Sequence, residues 1–294
     1  MIIGLDKILR KDAYGVAIRK ANTNDPFFIK YPTVSEWWAD PFVCHHDGRD
    51  YCFVELKSSY RLHGEIAVAT IEDGIIGNFT VVISEPFHMS FPNIFKYDNQ
   101  WYMLPETNYC NQVRLYKAVK FPYEWKLDKI LCNDVRLVDH ALFPQKTGFY
   151  VLSNDIVNLE QAYNRFFVLD MREKTFIEFF PEGYWSNIRP GGNFYEKDNR
   201  WYHVLQDGVL AYGDYLHVYE VDEFSKKIFK EHETKTIRVS DLEYANSNGR
   251  LKHIHTYNCN EFYEVIDLRY SKIYPNRLLI HWYHEYLKHI KHNW

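Results

Sequence analysis

The chain carries 294 residues, 46% hydrophobic and 18% aromatic, with a formal net charge of −4. That mildly acidic balance leaves no basic footprint for nucleic acid, and no run of 18 apolar residues offers a transmembrane segment. Five cysteines (Cys44, Cys52, Cys110, Cys132, Cys259) are odd in number and lack CxxC spacing, which argues against a disulfide framework or a zinc site.

Residues 1–15 begin with a short apolar stretch that gives way to charges, so they do not read as a secretory signal and a cytoplasmic location is expected. Residues 14–19 read as a strand, and beyond them a repeat sets in. Tyr51, Tyr102, Tyr150, Tyr202 and Tyr263 each precede by four residues a carboxylate or carboxamide: Glu55, Glu106, Asn154, Gln206 and Asp267. Successive tyrosines lie 51, 48, 52 and 61 residues apart. A period near 50 residues, built of short aromatic strands, is the signature of a β-propeller with one four-stranded blade per repeat.

The first repeat predicts strands at 39–43, 51–55, 64–69 and 79–83, with turns at 46–48 and 72–74. The second predicts 90–95, 101–106 and 113–116, and the third 138–143, 149–154 and 165–169. The fourth gives 189–194, 201–206 and 216–220, followed by a charged stretch, 226–235, expected as an exposed outer strand and loop. The fifth gives 253–257 and 262–267. The expected fold is thus all-β, a single five-bladed β-propeller over 1–294 with blades near 36–85, 86–135, 136–185, 186–240 and 250–275. Strand 14–19 is expected to complete the fifth blade and close the ring, which removes an open sheet edge. Residues 277–294 suggest a short basic, aromatic helical tail packed on the propeller, with peripheral membrane or partner contact as the alternative.

Inner strands line a propeller's channel, so the residues that open them converge at one mouth. These are Asp40, His88 with Ser90, Asp139 with His140, Arg189, and His253 with His255. The second strands add Glu55, Glu106, Asn154, Gln206 with Asp207, and Asp267. Asp40 stands between Trp37-Trp38-Ala39 and a proline, so its backbone is fixed beside aromatic neighbours; the alternative is a turn-capping aspartate. Glu106 follows Pro105, and a proline within a strand implies an edge or a bulge that re-aims side chains; the alternative is a solvent-facing strand end.

Glycosyl transfer needs carboxylates around an oxocarbenium-like centre, one as base or nucleophile and one as acid when the leaving oxygen is poor. A nucleotide-sugar donor needs cations for its diphosphate instead, which Arg189, His253 and His255 could supply. The His-x-His spacing also suits a metal, but no clear third ligand accompanies it, and a structural role between blades is the competing reading. There is no GxGxxG, GxxxxGK[ST] or GxSxG motif.

The ordered set Trp37-Trp38-Ala39-Asp40-Pro41-Phe42, His88-Met89-Ser90-Phe91-Pro92, Met103-Leu104-Pro105-Glu106, Arg114-Leu115-Tyr116, Arg189-Pro190-Gly191-Gly192, Gln206-Asp207 and His253-Ile254-His255-Thr256 resembles the N-terminal domain of glucosamine inositolphosphorylceramide transferases. The match extends over about residues 36–270. That domain is in turn similar in fold to five-bladed glycosidases of the arabinanase and furanosidase type. The resemblance implies Asp40 at the position of their first-blade catalytic Asp, Glu106 as a match to their acid although it stands a blade early, and Asp139 as the acid's pKa-tuning partner. The separate transferase domain of the plant proteins has no counterpart in this sequence. The expected activity is glycosyl transfer from a nucleotide-sugar to a glycan acceptor in surface or capsid glycan assembly, with Asp40 as base. Glu106 and Asp139 complete the catalytic set, and Trp37, Trp38, Glu55, His88, Arg189, Gln206, Asp207, His253 and His255 bind substrate. A divalent cation would enter only with the nucleotide-sugar. The alternatives are a glycoside hydrolase using Asp40 and Glu106, and a non-catalytic glycan-binding propeller.

Overall fold

In the computed structural model, which describes residues 10–156, 162–182, 186, 188–207, 215–248, 250–273 and 282–283, five antiparallel sheets account for all the named strands. The chain opens with β1 (Arg10–Lys20) and β2 (Phe28–Lys30), which belong to the last sheet. The first blade is β3 (Glu36–His46), β4 (Arg49–Ser58) and β5 (Glu65–Glu72), with β6 (Ile75–Ile76) and β7 (Thr80–Ile83) at its edge. The second is β8 (Ser90–Tyr97), β9 (Gln100–Glu106), β10 (Gln112–Lys120) and β11 (Glu124–Asn133), and the third is β12 (Leu137–Gln145), β13 (Gly148–Ile156), β14 (Ala162–Asp170) and β15 (Thr175–Phe179). In the fourth, β16 (Arg189–Pro190) and β17 (Tyr195–Lys197) share the inner position ahead of β18 (Arg200–Gln206), β19 (Leu216–Phe224) and β20 (Phe229–Ile237). The fifth takes β21 (Arg250–His253), β22 (Tyr257–Cys259) and β23 (Tyr263–Ile273), and β1 pairs along β23 from Arg10–Ile273 to Lys20–Tyr263.

Turn chemistry sets this pattern. Asp47-Gly48, Asp98-Asn99 and Asp198-Asn199 each place two residues at positive φ between an inner strand and its neighbour. Two-residue turns of this kind match the twist of the flanking strands and favour Asp, Asn and Gly. The apolar residues then form five interblade cores rather than one central core. Phe53 and Met103 meet between the first two blades, Leu104 and Val151 between the next two, and Leu152 and Phe229 between the third and fourth. Val204 packs with Ile266, and Val16 and Ile18 of β1 pack with Val54 and Ala67 of the first blade. Each blade therefore buries both faces only against its neighbours.

Across the axis the inner strands are tied by asparagines. Asn93 Nδ2 donates to His140 O (2.7 Å) and Asn193 Oδ1 (3.1 Å), the Asn193 N–H donates to Asn258 Oδ1 (2.7 Å), and Asn258 Nδ2 donates to Pro41 O (2.9 Å). Glycine enters here because a Cβ on Gly192 would fall 2.0 Å from Tyr257 O. That crowding accounts for the Gly191-Gly192 pair. The charged 226–235 stretch does contribute an outer strand, β20, with mostly exposed residues. Of the expected C-terminal tail only Trp282 and Tyr283 lie among the described residues, and Tyr283 sits 5.4 Å from Tyr60, ring to ring.

Candidate active site

Three inner strands carry the same irregularity. The register of β3 on β4 slips between Ala39 and Phe42, that of β8 on β9 between Ser90 and Asn93, and that of β12 on β13 between Val138 and Ala141. The first extra residue is left-handed each time: Asp40 at φ 50°, Phe91 at 45° and Asp139 at 52°. Such backbone costs on the order of 1–3 kcal/mol per residue and persists only where surrounding contacts hold it. Here each bulge hands its N–H to a carboxylate of the preceding blade. Asp40 N–H donates to Asp267 Oδ2 (3.1 Å), Phe91 N–H donates to Asp40 Oδ2 (3.1 Å), and the Asp139 N–H donates to the Glu106 carboxylate. The sheet geometry thereby aims Asp40 and Asp139 at the mouth.

The polar residues that follow the repeated tyrosines form the second ring. Glu55, Glu106, Asn154, Gln206 and Asp267 are all buried, on β4, β9, β13, β18 and β23 respectively. Glu55 and Glu106 face the cavity directly. Gln206 Nε2 supports Asp139 Oδ2 from behind (3.1 Å), and Asn154 Nδ2 bonds Asn164 Oδ1 within its own blade (2.8 Å). Asp267 accepts the backbone N–H groups of His255 (3.1 Å) and Thr256 (2.9 Å) as well as that of Asp40.

Tyr14, Trp37, Asp40, Glu55, His88, Ser90, Glu106, Asn108, Tyr109, Arg136, Asp139, Ile156, Arg189 and His255 line one cavity of about 360 Å³. Its carboxyl groups differ in charge for identifiable reasons. Burial alone would raise Asp40, but the hydrogen bond and charge of His255 (Nε2 to Oδ1 3.3 Å), the Thr256 hydroxyl (2.9 Å) and the Phe91 N–H outweigh it and hold Asp40 below the usual carboxylate value. Glu106 goes the other way: burial and the neighbouring Asp139 charge push it up to about 8, against the pull of Arg189 3.8 Å away. Asp139 is raised by burial despite the Arg189 Nε bond at 2.6 Å. Glu55 is raised well above its ordinary value by burial and then by Asp40 and Glu106. His88 beside it (Nε2 to Glu55 Oε1 3.3 Å) is lowered to about 4, chiefly by burial, and accepts the Gly64 N–H at Nδ1 (2.9 Å). Near neutral pH the cavity therefore holds an ionised Asp40 and a protonated Glu106.

Eight of the twelve sequence-derived site residues meet here: Asp40, Glu106, Asp139, Trp37, Glu55, His88, Arg189 and His255. Four do not line the cavity. Trp38 is turned by strand alternation into the core against Phe79 (ring centroids 4.8 Å), so it cannot stack on a sugar. Gln206 stands one layer back, Asp207 faces His217 at 3.4 Å on β19, and His253 sits opposite Arg269 where β21 pairs with β23. Pro105 does not bulge its own strand. It lies past Met103 and Tyr102, where β9 pairs with β10, and the bulge beside Glu106 belongs to the partner strand β8. Tyr14, Tyr109 and Arg136 were not legible as site residues, being placed by the N-terminal strand and by two inter-strand connections. Asp267 and Thr256 were both in view, in the repeat and in the His-x-His-Thr motif, but their joint hold on Asp40 appears only in three dimensions. Asp40, His255 and Asp267 offer metal-ligand atoms within 4.8 Å of one another, yet these atoms face each other, and hydrogen bonds already satisfy both carboxylates.

Residues 28–267 match the family described as glucosamine inositolphosphorylceramide transferase 1, N-terminal. A transferase of that name from Oryza sativa subsp. indica is 30% identical over 217 residues, covering 68% of this chain and 28% of the relative. Its Arabidopsis thaliana counterpart is 27% identical over 253 residues, covering 79% of this chain and 32% of the relative. The chain thus spans under a third of the length of these curated relatives. Among solved structures, an α-L-arabinofuranosidase from Podospora anserina in complex with cellotriose superposes with a TM-score of 0.54 at 12% identity, over 80% of this chain and 91% of that one. A GH43_1 enzyme from Xanthomonas citri gives 0.53 at 12% identity, over 82% and 88%. These likenesses share the propeller fold, and with the family match over most of its length the chain belongs to the glucosamine inositolphosphorylceramide transferase N-terminal family.

Proposed function

We propose that this chain is a glycosyl-transferring enzyme in which Asp40 takes the proton of an incoming hydroxyl while Glu106 protonates the departing oxygen. One observation carries the reading: two buried carboxyl groups share a single cavity in contrasting surroundings, Asp40 met by Thr256, Phe91 and His255, which hold it low, and Glu106 set beside Asp139, which with burial pushes it up. An acid–base pair acting on a glycosidic oxygen needs that division. Asp139 sits beside Glu106 and tunes its proton, as a third acidic group. Trp37 offers an aromatic wall, while Glu55 and His88 are placed to bond sugar hydroxyls. The donor favoured by this arrangement is a glycoside, whose poor leaving oxygen requires an acid, and the acceptor is a glycan hydroxyl or water.

A second reading is favoured by the relatives' names, which describe transferases. In it the donor is a nucleotide-sugar, Arg189 and His255 meet the diphosphate, and a divalent cation arrives with the donor. Arg189 is already bonded to Asp139 and His255 lies between Asp40 and Asp267, which is why the glycoside donor stands first. The deciding experiment incubates the purified chain with panels of glycosides and of nucleotide-sugars, with and without glycan acceptors. Turnover of glycosides that disappears in Asp40→Asn and Glu106→Gln is expected. Release of nucleoside diphosphate would shift the assignment to the second reading. A folded protein that neither turns over nor binds any donor ends both.

A further inference from the structure

We propose that Asp267 is the positioning residue of the catalytic centre: through the Asp40 backbone and the His255 ring it fixes the carboxylate that receives the proton. This rests on the acid–base reading above. Asp267 is fully buried. Its Oδ1 takes the N–H groups of His255 and Thr256, and its Oδ2 takes that of Asp40 and lies 2.7 Å from His255 Nδ1. The other nitrogen of the same ring, Nε2, lies 3.3 Å from Asp40 Oδ1. A carboxylate oxygen at ion-pair distance from each nitrogen favours the imidazolium. Facing that ring are Asp40 from β3, Asp267 from β23 and Tyr14 from β1, whose ring centroid is 4.8 Å away, and its charge is also coupled to Asp139 on β12 and Glu55 on β4.

Asp267 therefore acts on Asp40 in two ways. It holds the left-handed bulge from which Asp40 projects, and it keeps a cation against the Asp40 carboxylate. The repeat supplies a comparison. At the equivalent positions of the third and fourth blades Asn154 and Gln206 serve, so a neutral amide is enough to build the blade. The negative charge at the fifth is what the His255 ring requires.

Asp267→Asn separates these roles. An amide oxygen still accepts from the backbone of His255 and Thr256, but the amide nitrogen faces the Asp40 N–H, which loses its acceptor, and His255 Nδ1, which loses the neighbouring charge. His255 then becomes neutral, with its remaining proton on Nε2. The test measures the ¹⁵N shifts of the His255 ring near pH 7, together with the pH–rate profile on any substrate found. In the wild-type protein both nitrogens should be protonated. In Asp267→Asn the ring should be neutral, kcat should fall about tenfold with KM little changed, and the acidic limb should move up by about one pH unit. Should that variant not fold, His255→Gln removes the cation while leaving Asp267 its backbone donors, and the same shift of the limb is expected. A neutral ring in the wild-type protein, or wild-type ring shifts in Asp267→Asn, overturns the proposal. The expected ring shifts in a protein inactive on every donor would instead overturn the acid–base reading alone.

Discussion

The two sides of the mouth bury carboxyl groups equally well and treat them oppositely. On the side of the fifth and first blades, Asp40 receives a hydroxyl, a backbone N–H and an imidazole nitrogen, and it stays ionised. On the side of the second and third blades, Glu106 shares its surroundings with Asp139, and a single guanidinium serves both. Burial is common to the two sides; the supply of donors is not. Protonation in this cavity is decided by how many N–H and O–H groups the neighbouring blade delivers.

The sharpest way to break the comparison is to neutralise its ionised member. Asp40→Asn keeps the shape but removes the base, and a loss of about 10²–10⁴-fold in kcat is expected. Nearly the same loss should follow Glu106→Gln on glycosides with alcohol leaving groups, measured as kcat/KM. On substrates with an acidic phenol as leaving group, Glu106→Gln should recover most of its activity while Asp40→Asn should not. Equal losses on both substrate types would mean that Glu106 is not the acid.

Arg189 is the next point of attack, because it is the cation shared by the Glu106 side. Arg189→Met leaves Asp139 buried without its 2.6 Å partner. Breaking such a pair costs about 3–5 kcal/mol when fully buried. Arg189 is itself 26% exposed in its side chain, so a loss nearer about 2 kcal/mol is expected by denaturant unfolding. Without its pull Glu106 should also hold its proton to higher pH, moving the alkaline limb of the rate profile upward. An unchanged limb would show that Arg189 acts on Asp139 alone.

How much of this was open to sequence reading follows from what repeats. The five Tyr-to-polar pairs are periodic because each polar residue occupies the same buried place on a second strand, and that place faces the axis. The period thus disclosed the blades together with two residues of the cavity, Glu55 and Glu106. The inner-strand candidates Asp40 and Asp139 were legible as strand openings, but the bulges that aim them were not. A one-residue slip in register leaves no mark in composition, and Phe91 shows the same left-handed turn without any Asp, Asn or Gly. Trp38 was misassigned because two adjacent tryptophans on a strand point to opposite faces, and only the neighbouring blade settles which is inside. Contacts such as Thr256 to Asp40, 216 residues apart, lie beyond any local pattern.

The gentlest test compares the two sides through stability rather than rate. Glu106 binds its proton more tightly folded than unfolded, since its folded pKa of about 8 exceeds the ordinary 4.5. Between those values the native state holds more protons than the unfolded chain, so stability falls as pH rises through that window. Glu55, raised in the same direction, adds to the fall. Asp40 has the opposite sign: its lowered folded pKa gives stability that is present above the ordinary 3.8 and lost as pH falls below it. One group can contribute at most about 1.4 kcal/mol per pH unit. Thermal unfolding of Glu106→Gln should therefore show a flatter decline from pH 5 to 8 than the parent, at about the same acid stability. Asp40→Asn should change the acid end and, because the Asp40 charge helps to raise Glu55 and Glu106, reduce that slope only in part. A Glu106→Gln profile parallel to the parent across pH 5–8 would mean that Glu106 is ionised in the folded protein and that the two sides of the mouth are alike.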